Sequence, residues 1–180
     1  MNSLFTRRSV REFRDWPVER EKLMILLKAA MQAPSAANQQ PWEFLVVTDR
    51  EMLRKLSGTS QYSRCLEKAG AAVVVLKNEN HLLWPDSADQ DLSAATMALL
   101  LAATELGLGG VWLGIAPYQE RMEYVKVTAG LPEGISPFSI VALGYPLQPQ
   151  ANHEINRYRP EKIHFEQYAD RSGGKAVYGT

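Results

Sequence analysis

Short apolar runs alternate with amphipathic stretches along the first 146 residues of the chain. Four of the apolar runs are continuous, which is typical of strands that are covered on both faces. The predicted strands are 44–47, 71–76, 110–115 and 139–145. Between them, apolar residues recur at the spacing of an α-helix. The predicted helices are 18–31, a short helix that ends at Gly58, 86–106 and 118–129, with an ambiguous, helix-favouring stretch at 61–68.

The stretch 86–106 is apolar on nearly every side, so its helix is expected to lie in the centre of the fold. Helices that alternate with buried strands imply stacked layers. The pattern therefore predicts an α+β protein, a three-layer α-β-α sandwich. The apolar runs leave the direction of each strand open, and a mixed central sheet is expected.

The pattern changes after Pro146, because residues 147–180 are polar and have no sustained periodicity. We interpret 1–146 as the core and 147–180 as a C-terminal extension of the same single domain. The extension could be disordered, could pack on its own domain, or could wrap a partner subunit. We expect partial order as far as Tyr168 and fraying through 172–174.

Composition excludes some classes of protein. The 180 residues include 20 Lys and Arg against 20 Asp and Glu, whereas nucleic-acid-binding domains usually carry a basic surplus. The single cysteine, Cys65, excludes an intramolecular disulfide, and one Cys with three His argues against a structural zinc site. No signal peptide and no apolar run of membrane-spanning length is found. These features predict a cytoplasmic protein.

The segment 33–42 (APSAANQQPW) links a predicted helix to a predicted strand and is the most informative part of the chain. Its small residues let a flat molecule approach the backbone, and the amides of Asn38, Gln39 and Gln40 can read a heterocycle. Alternatively, it is a turn whose polar side chains satisfy only local backbone.

Two arginine-containing segments lie near the ends of the chain. Arg7, Arg8, Ser9 and Arg11 form one, and Arg157 with Arg159 forms the other. Guanidinium groups match phosphate in a bidentate way. Taken alone, such a cluster could equally be a solvated or dimer-forming surface. Together with the segment 33–42, it indicates a cofactor with a phosphate at one end and a planar polar ring at the other.

Several common catalytic motifs are absent. The glycines of 107–114 (GLGGVWLG) follow a helix and precede a strand, the reverse of the order in a Rossmann turn. The sequence also lacks a nucleophile elbow, a Walker loop and a zinc-binding helix motif. The three histidines are scattered and are interpreted as surface or packing residues.

With these motifs in their observed order, the chain resembles the short FMN-dependent nitroreductases. The resemblance covers nearly the whole chain and is carried by 7–13 (RRSVREF), 33–44 (APSAANQQPWEF), 107–114 (GLGGVWLG), 142–146 (ALGYP) and Arg157 ahead of 162–164 (KIH). It implies a homodimer of α+β sandwiches with two FMN molecules at the interface, each contacted by both subunits.

The resemblance also implies roles for individual residues. Arg7, Ser9 and Arg157 would hold the FMN phosphate and ribityl chain, with Arg8 close by. Because 152–159 matches the family loosely, the resemblance leaves open whether Arg157 or Arg159 contacts the phosphate. Arg11 would approach the pyrimidine edge of the flavin, and the backbone near Leu113 and Gly114 would face flavin N5. The residues that would line the ring, from the other subunit, are Pro34, Ser35, Ala36 and Asn38. Residues 84–91 could roof the site, with a polar contact through Gln90.

The function implied is transfer of hydride from NADH or NADPH, through FMN, to a small oxidised acceptor such as a nitroaromatic or a quinone. Such chemistry needs no protein nucleophile or general base, because the reactive centre belongs to the flavin. No catalytic side chain and no metal ligand is therefore predicted. Two alternatives stay open: a protein of the same fold with other flavin chemistry (dehalogenation, dehydrogenation or flavin fragmentation), or a non-enzymatic protein that binds or senses FMN.

Overall fold

A computed structural model of the chain describes residues 2–168. The described part of the chain contains five α-helices and four strands. The helices are α1 (Asn2–Thr6), α2 (Arg20–Ala30), α3 (Arg50–Ser57), α4 (Ala88–Glu105) and α5 (Gln119–Ala129). The strands are β1 (Trp42–Val47), β2 (Ala71–Asn78), β3 (Gly109–Gly114) and β4 (Ile135–Gly144). Every predicted strand and every long predicted helix is present, whereas the ambiguous stretch forms only a 3₁₀ turn at Arg64–Lys68.

The four strands form one sheet in the order β1-β2-β4-β3, and all three strand pairs are antiparallel. The predicted α+β class is confirmed, but the expectation of a mixed sheet is corrected. Within residues 2–168, the parallel pairing is limited to one isolated bridge between Ser9 and Gly110. Strands buried on both faces have the same apolar pattern whether they run parallel or antiparallel, so the sequence could not indicate their direction.

Each central strand sends alternate side chains to two separate apolar layers. Val73 and Val75 of β2 point to the layer that contains α2 and α4. Ala72 and Val74 point to the opposite layer, which contains α3 and α5. All four side chains are fully buried, which confirms the predicted sandwich of helices, sheet and helices.

Helix α4 is central, as predicted, and packs against β1, β2, β3, β4, α1 and α2. Leu92, Ala95 and Leu99 on its inner side are fully buried. Its outer side carries a second apolar row that remains only half-buried in the single chain. This row, the outer α4 stripe, consists of Ala94, Met97, Ala98 and Leu101.

The C-terminal extension is mostly exposed between residues 147 and 168 and contains only a 3₁₀ turn, Pro160–Lys162. It is attached to the core at a few points, among them the Leu147 amide, which donates to the Glu12 carbonyl at 2.9 Å. The predicted fraying at 172–174 lies outside the described residues. The predicted wrapping around a partner stays a prediction.

Candidate functional site

The N-terminal arginine segment lies along the start of β3. The Val10 amide donates to the Gly110 carbonyl at 3.0 Å, next to the Ser9–Gly110 bridge. A Cβ atom at Gly109 would come within 2.7 Å of the Val10 Cβ atom. This close approach requires glycine at 109 and fixes the position of the arginines that precede Val10.

Arg7, Arg8 and Arg157 line one pocket of about 430 Å³, which we call the arginine pocket. Within the described residues, none of the three forms an ion pair. The Nε atoms of Arg7 and Arg8 are buried without a hydrogen-bond partner. Burial, followed by the nearby charges of Arg157 and Arg8, lowers the pKa of Arg7. Glu154 also lines the pocket, so three guanidinium groups lie near one carboxylate and the pocket keeps a net positive charge, which an anion such as phosphate would offset.

The arginines of this region differ in their contacts. Arg8 donates to the Phe5 carbonyl at 2.9 Å and to the Arg7 carbonyl, so its guanidinium also supports the local backbone. Arg159 is exposed and its Nε atom lies 3.9 Å from Glu161. Of the two arginines of the extension, Arg157 lines the pocket beside Arg7 and Arg8, and Arg159 does not.

Asn152 joins the start of the extension to the N-terminal segment and to the residue before β3, and it was not predicted. Its side-chain oxygen accepts from the Arg8 amide at 3.2 Å, and its nitrogen donates to the Leu108 carbonyl at 3.0 Å. A single asparagine in an aperiodic polar segment gives no signal in the sequence, because both partners are more than 40 residues away.

The second predicted half of the site is a tight turn of residues 34–40, which we call the amide turn. Three of its non-glycine residues have left-handed backbone: Ala37 at φ 47°, Asn38 at φ 56° and Gln40 at φ 47°. Such conformations persist only where the surroundings enforce them. Here the Ser35 hydroxyl accepts from the Gln40 amide at 3.1 Å, and the Gln40 side chain donates to Asn38 Oδ1 at 2.9 Å.

A buried carboxylate attaches the amide turn to α4. Asp91 is 6% exposed; its Oδ1 accepts from the Ala36 amide at 3.0 Å and its Oδ2 accepts from the Gln39 side chain at 2.7 Å. From the sequence, Gln39 is a possible ligand donor, and Asp91 is only the last residue of the possible roof segment 84–91. In the structure the Gln39 side chain is hydrogen-bonded to other groups of the protein. These partners lie in segments distant in sequence, so the local sequence does not reveal them.

The remaining predicted residues lie at separate places. Leu113 is buried, and a Cβ atom at the neighbouring Gly114 would meet nothing within 4 Å, so space is open over this backbone. Arg11 is exposed and donates only weakly, to the Ser9 carbonyl at 3.4 Å.

Gln90 is exposed in the first turn of α4; oriented by its hydrogen bonds, its amide donates to the Asp86 and Ser87 carbonyls at 2.9 and 3.0 Å. Pro34 is exposed at the start of the amide turn.

The two halves of the predicted site do not meet within one chain. The amide turn is bonded to Asp91 in the first turns of α4, whereas the N-terminal segment is bonded to Glu105 at its end, where the Ser3 amide donates to Glu105 at 3.1 Å. Since an α-helix rises 1.5 Å per residue, the two attachment points are about 21 Å apart. The structure therefore presents a positively charged pocket and a rigid amide-bearing turn as separate features.

Comparison with known proteins decides the family. The sequence profile described as "Nitroreductase family" matches residues 4–77 and 59–145, which is more than half of the chain. The chain belongs to the nitroreductase family.

A protein of Archaeoglobus fulgidus named "Putative NADH dehydrogenase/NAD(P)H nitroreductase" is 45% identical over 170 residues, covering 93% of this chain and 98% of the relative. A crystal structure titled "Putative NADH Oxidase" from Clostridium acetobutylicum has a TM-score of 0.89 and 42% identity, over 92% of this chain and 99% of that one. An "FMN-dependent Nitroreductase" from Clostridium difficile has a TM-score of 0.83 and 30% identity, over 93% of this chain and 99% of that one. These similarities confirm the nitroreductase fold and identify an oxidoreductase. No helix within residues 2–168 of this nitroreductase-family protein is long and apolar enough to cross a membrane.

Proposed function

We propose that this protein transfers hydride from NADH or NADPH, through bound FMN, to a small oxidised acceptor such as a nitroaromatic or a quinone. The cofactor is FMN, as predicted from the sequence. The observation that supports this function best is the arginine pocket, in which Arg7, Arg8 and Arg157 come together and form no ion pair within the described residues. A phosphate-bearing ligand would accept hydrogen bonds from the guanidinium groups and offset their mutual repulsion.

The proposed assignment of residues follows the location of each group. Arg7 and Arg157 would bind the FMN phosphate, with the exposed Ser9 hydroxyl as a further donor. Arg8 would complete the positive pocket while it supports the Phe5 and Arg7 carbonyls. Arg11 forms no ion pair in the described residues and would be free to meet the pyrimidine edge of the flavin.

Two copies of the chain would be needed to complete the site. The amide turn, with Pro34, Ser35, Ala36 and Asn38, lies at the far end of α4 from the arginine pocket of its own chain. The outer α4 stripe offers a half-buried apolar surface through which two α4 helices could pack. We propose a homodimer in which the amide turn of one subunit borders the flavin ring whose phosphate is held by the other. In this dimer the C-terminal extension would wrap the partner.

When bound, FMN supplies the hydride-accepting and hydride-donating centre at its N5 atom. The protein would contribute position and charge. Arg11 would place a cation where negative charge develops on the ring, and the open backbone at Gly114 would leave room close to N5. No side chain acts as nucleophile in this proposal.

The experiment is to load the purified protein with FMN, record the visible spectrum, and follow loss of colour anaerobically with NADH and with NADPH. We expect bound oxidised flavin that at least one nicotinamide bleaches and that a nitroaromatic or a quinone restores. A protein that does not bind FMN would refute the cofactor assignment. Bound flavin that neither nicotinamide bleaches would instead point to the other flavin chemistries, and absence of turnover with every acceptor would point to a sensor.

A further inference from the structure

Two large apolar side chains stand exposed beside the amide turn. Leu83 is 68% exposed and Trp84 is 59% exposed, just ahead of α4. Exposed side chains at the surface are usually free to move with their loop. The backbone of these two residues, however, is held by one side chain of the amide turn.

Gln39 provides that attachment with both ends of its amide. Its oxygen accepts from the Trp84 amide at 2.9 Å and from the Leu83 amide at 3.1 Å. Its nitrogen donates to the Trp84 carbonyl at 3.0 Å and to Asp91 Oδ2 at 2.7 Å. Since all four contacts agree with one orientation of the amide, Gln39 joins Trp84, the amide turn and α4 into one unit.

We propose that Trp84 is a specificity-determining residue for the acceptor and that Gln39 is its positioning residue. The inference rests on the proposed function, in which the amide turn borders the flavin ring. An indole next to that turn offers a planar apolar surface, and because the backbone of Trp84 is already fixed, binding there would not bear the entropic cost of ordering the loop. The substrate class that it would favour is a planar aromatic acceptor, in preference to a small non-aromatic oxidant.

The first test measures the oxidative half of the reaction alone. FMN-loaded protein is reduced with dithionite, and its reoxidation by nitrobenzene and by ferricyanide is followed by stopped flow. Because aromatic pairs are worth about 0.5–1.5 kcal/mol, Trp84→Ala should slow reoxidation by nitrobenzene about two- to tenfold. Reoxidation by ferricyanide should change less than twofold, and Trp84→Phe should restore most of the rate with nitrobenzene. Equal slowing with both oxidants, or no slowing with either, would overturn the proposal.

A matched control is available at Trp16, which is 51% exposed. It lies at the other end of β2, beside Gly70, and its ring packs 5.7 Å from that of Tyr145. Trp16→Ala should leave the ratio of the two reoxidation rates unchanged. A change as large as that of Trp84→Ala would show a general effect of losing an exposed indole, and would also overturn the proposal.

The second test concerns Gln39, and its first measurement needs neither flavin nor turnover. In the flavin-free protein, hydrogen exchange of peptides that span 79–88 should rise at least tenfold in Gln39→Ala, because the Leu83 and Trp84 amides lose their acceptor. In the loaded protein, Gln39→Ala and the double variant with Trp84→Ala should show the same rate ratio as Trp84→Ala. Unchanged exchange, or effects of the two substitutions that simply add, would reject Gln39 as the positioning residue.

Failure of this inference is separable from failure of the proposed function. If the protein binds FMN and a nicotinamide bleaches it, but Trp84→Ala keeps the wild-type rate ratio, only the role of Trp84 is lost. If FMN does not bind, the proposed function itself is lost, whereas the exchange experiment still reports on Gln39.

Discussion

The arginine pocket and the amide turn represent two opposite ways to prepare a binding site. In the pocket, the positive guanidinium groups of Arg7, Arg8 and Arg157 lie close together. The Nε atoms of Arg7 and Arg8 have no hydrogen-bond partner in the described part of the chain. In the turn, strained backbone is enforced by hydrogen bonds from Ser35, Gln40 and the buried Asp91. The pocket thus keeps a net positive charge that the proposed phosphate would offset, whereas the turn is already held by hydrogen bonds within the protein. We expect substitutions in the pocket to change ligand affinity and substitutions behind the turn to change stability.

The largest expected effect is that of preventing dimer formation, which would separate the arginine pocket of one subunit from the amide turn of the other. Ala98→Glu places a carboxylate in the middle of the outer α4 stripe, where desolvating it would disfavour association. We expect a monomer in sedimentation velocity and a loss of FMN affinity of more than about a hundredfold, since half of the contacts would be missing. The control is Val127→Glu on α5, which replaces an apolar side chain that is 72% exposed on the opposite layer. An Ala98→Glu monomer that binds FMN normally would contradict the shared site.

A smaller effect, on stability, is expected behind the turn. Asp91→Ala removes the acceptor for the Ala36 amide and the Gln39 side chain, so we expect a loss of about 3 kcal/mol. For a domain of this size that corresponds to a fall in Tm of about 6–12 °C in thermal unfolding. Asp89→Ala is the matched control, because Asp89 is exposed on the same helix and, among residues 2–168, its side chain pairs with Lys77 alone, at 3.2 Å. Equal losses for the two variants would refute the role of Asp91 as a buried attachment.

In the pocket, Arg7→Ala should weaken FMN binding and leave the stability of the flavin-free protein unchanged, the reverse of what is expected for Asp91→Ala. Removal of a charge-assisted contact costs about 1.5–3 kcal/mol, which corresponds to roughly ten- to hundredfold weaker FMN binding. The flavin-free protein should keep its stability, because the loss of one guanidinium also relieves repulsion with Arg157 and Arg8. Flavin fluorescence titration and thermal unfolding measure the two quantities. Arg159→Ala should bind FMN normally, and an equally large loss there would show that the pocket has been wrongly delimited.

The smallest expected effect is the stabilisation of the flavin-free protein by inorganic phosphate alone. Inorganic phosphate at ten times its own Kd should stabilise the flavin-free protein by about 1.4 kcal/mol, by mass action alone. The corresponding rise in Tm is about 3–6 °C. Sodium chloride at equal ionic strength serves as the control, and the effect should disappear in Arg157→Ala. A similar rise in that variant would place the bound phosphate elsewhere.

The helices and strands were easier to predict from the sequence than the tertiary contacts between them. Continuous apolar runs located all four strands, and the all-round apolar character of α4 placed it in the centre. Helix α1 was missed because five residues are too few to show periodicity. The arginines and the amide turn were recognisable by composition. Their separation along α4, and the hydrogen bonds of Asp91, Gln39 and Asn152, depend on tertiary contacts between distant segments, which no local pattern encodes.

The amide of Asn152 has a consequence for how the two ends of the chain depend on each other. It is hydrogen-bonded both to the arginine-bearing segment at the start of the chain and to the residue just before β3. Proteolytic removal of the tail from this residue onward would therefore loosen the arginine-bearing segment as well as delete Arg157. If the proposed phosphate site is correct, we expect a protein trimmed in this way to keep its sheet and to bind little FMN.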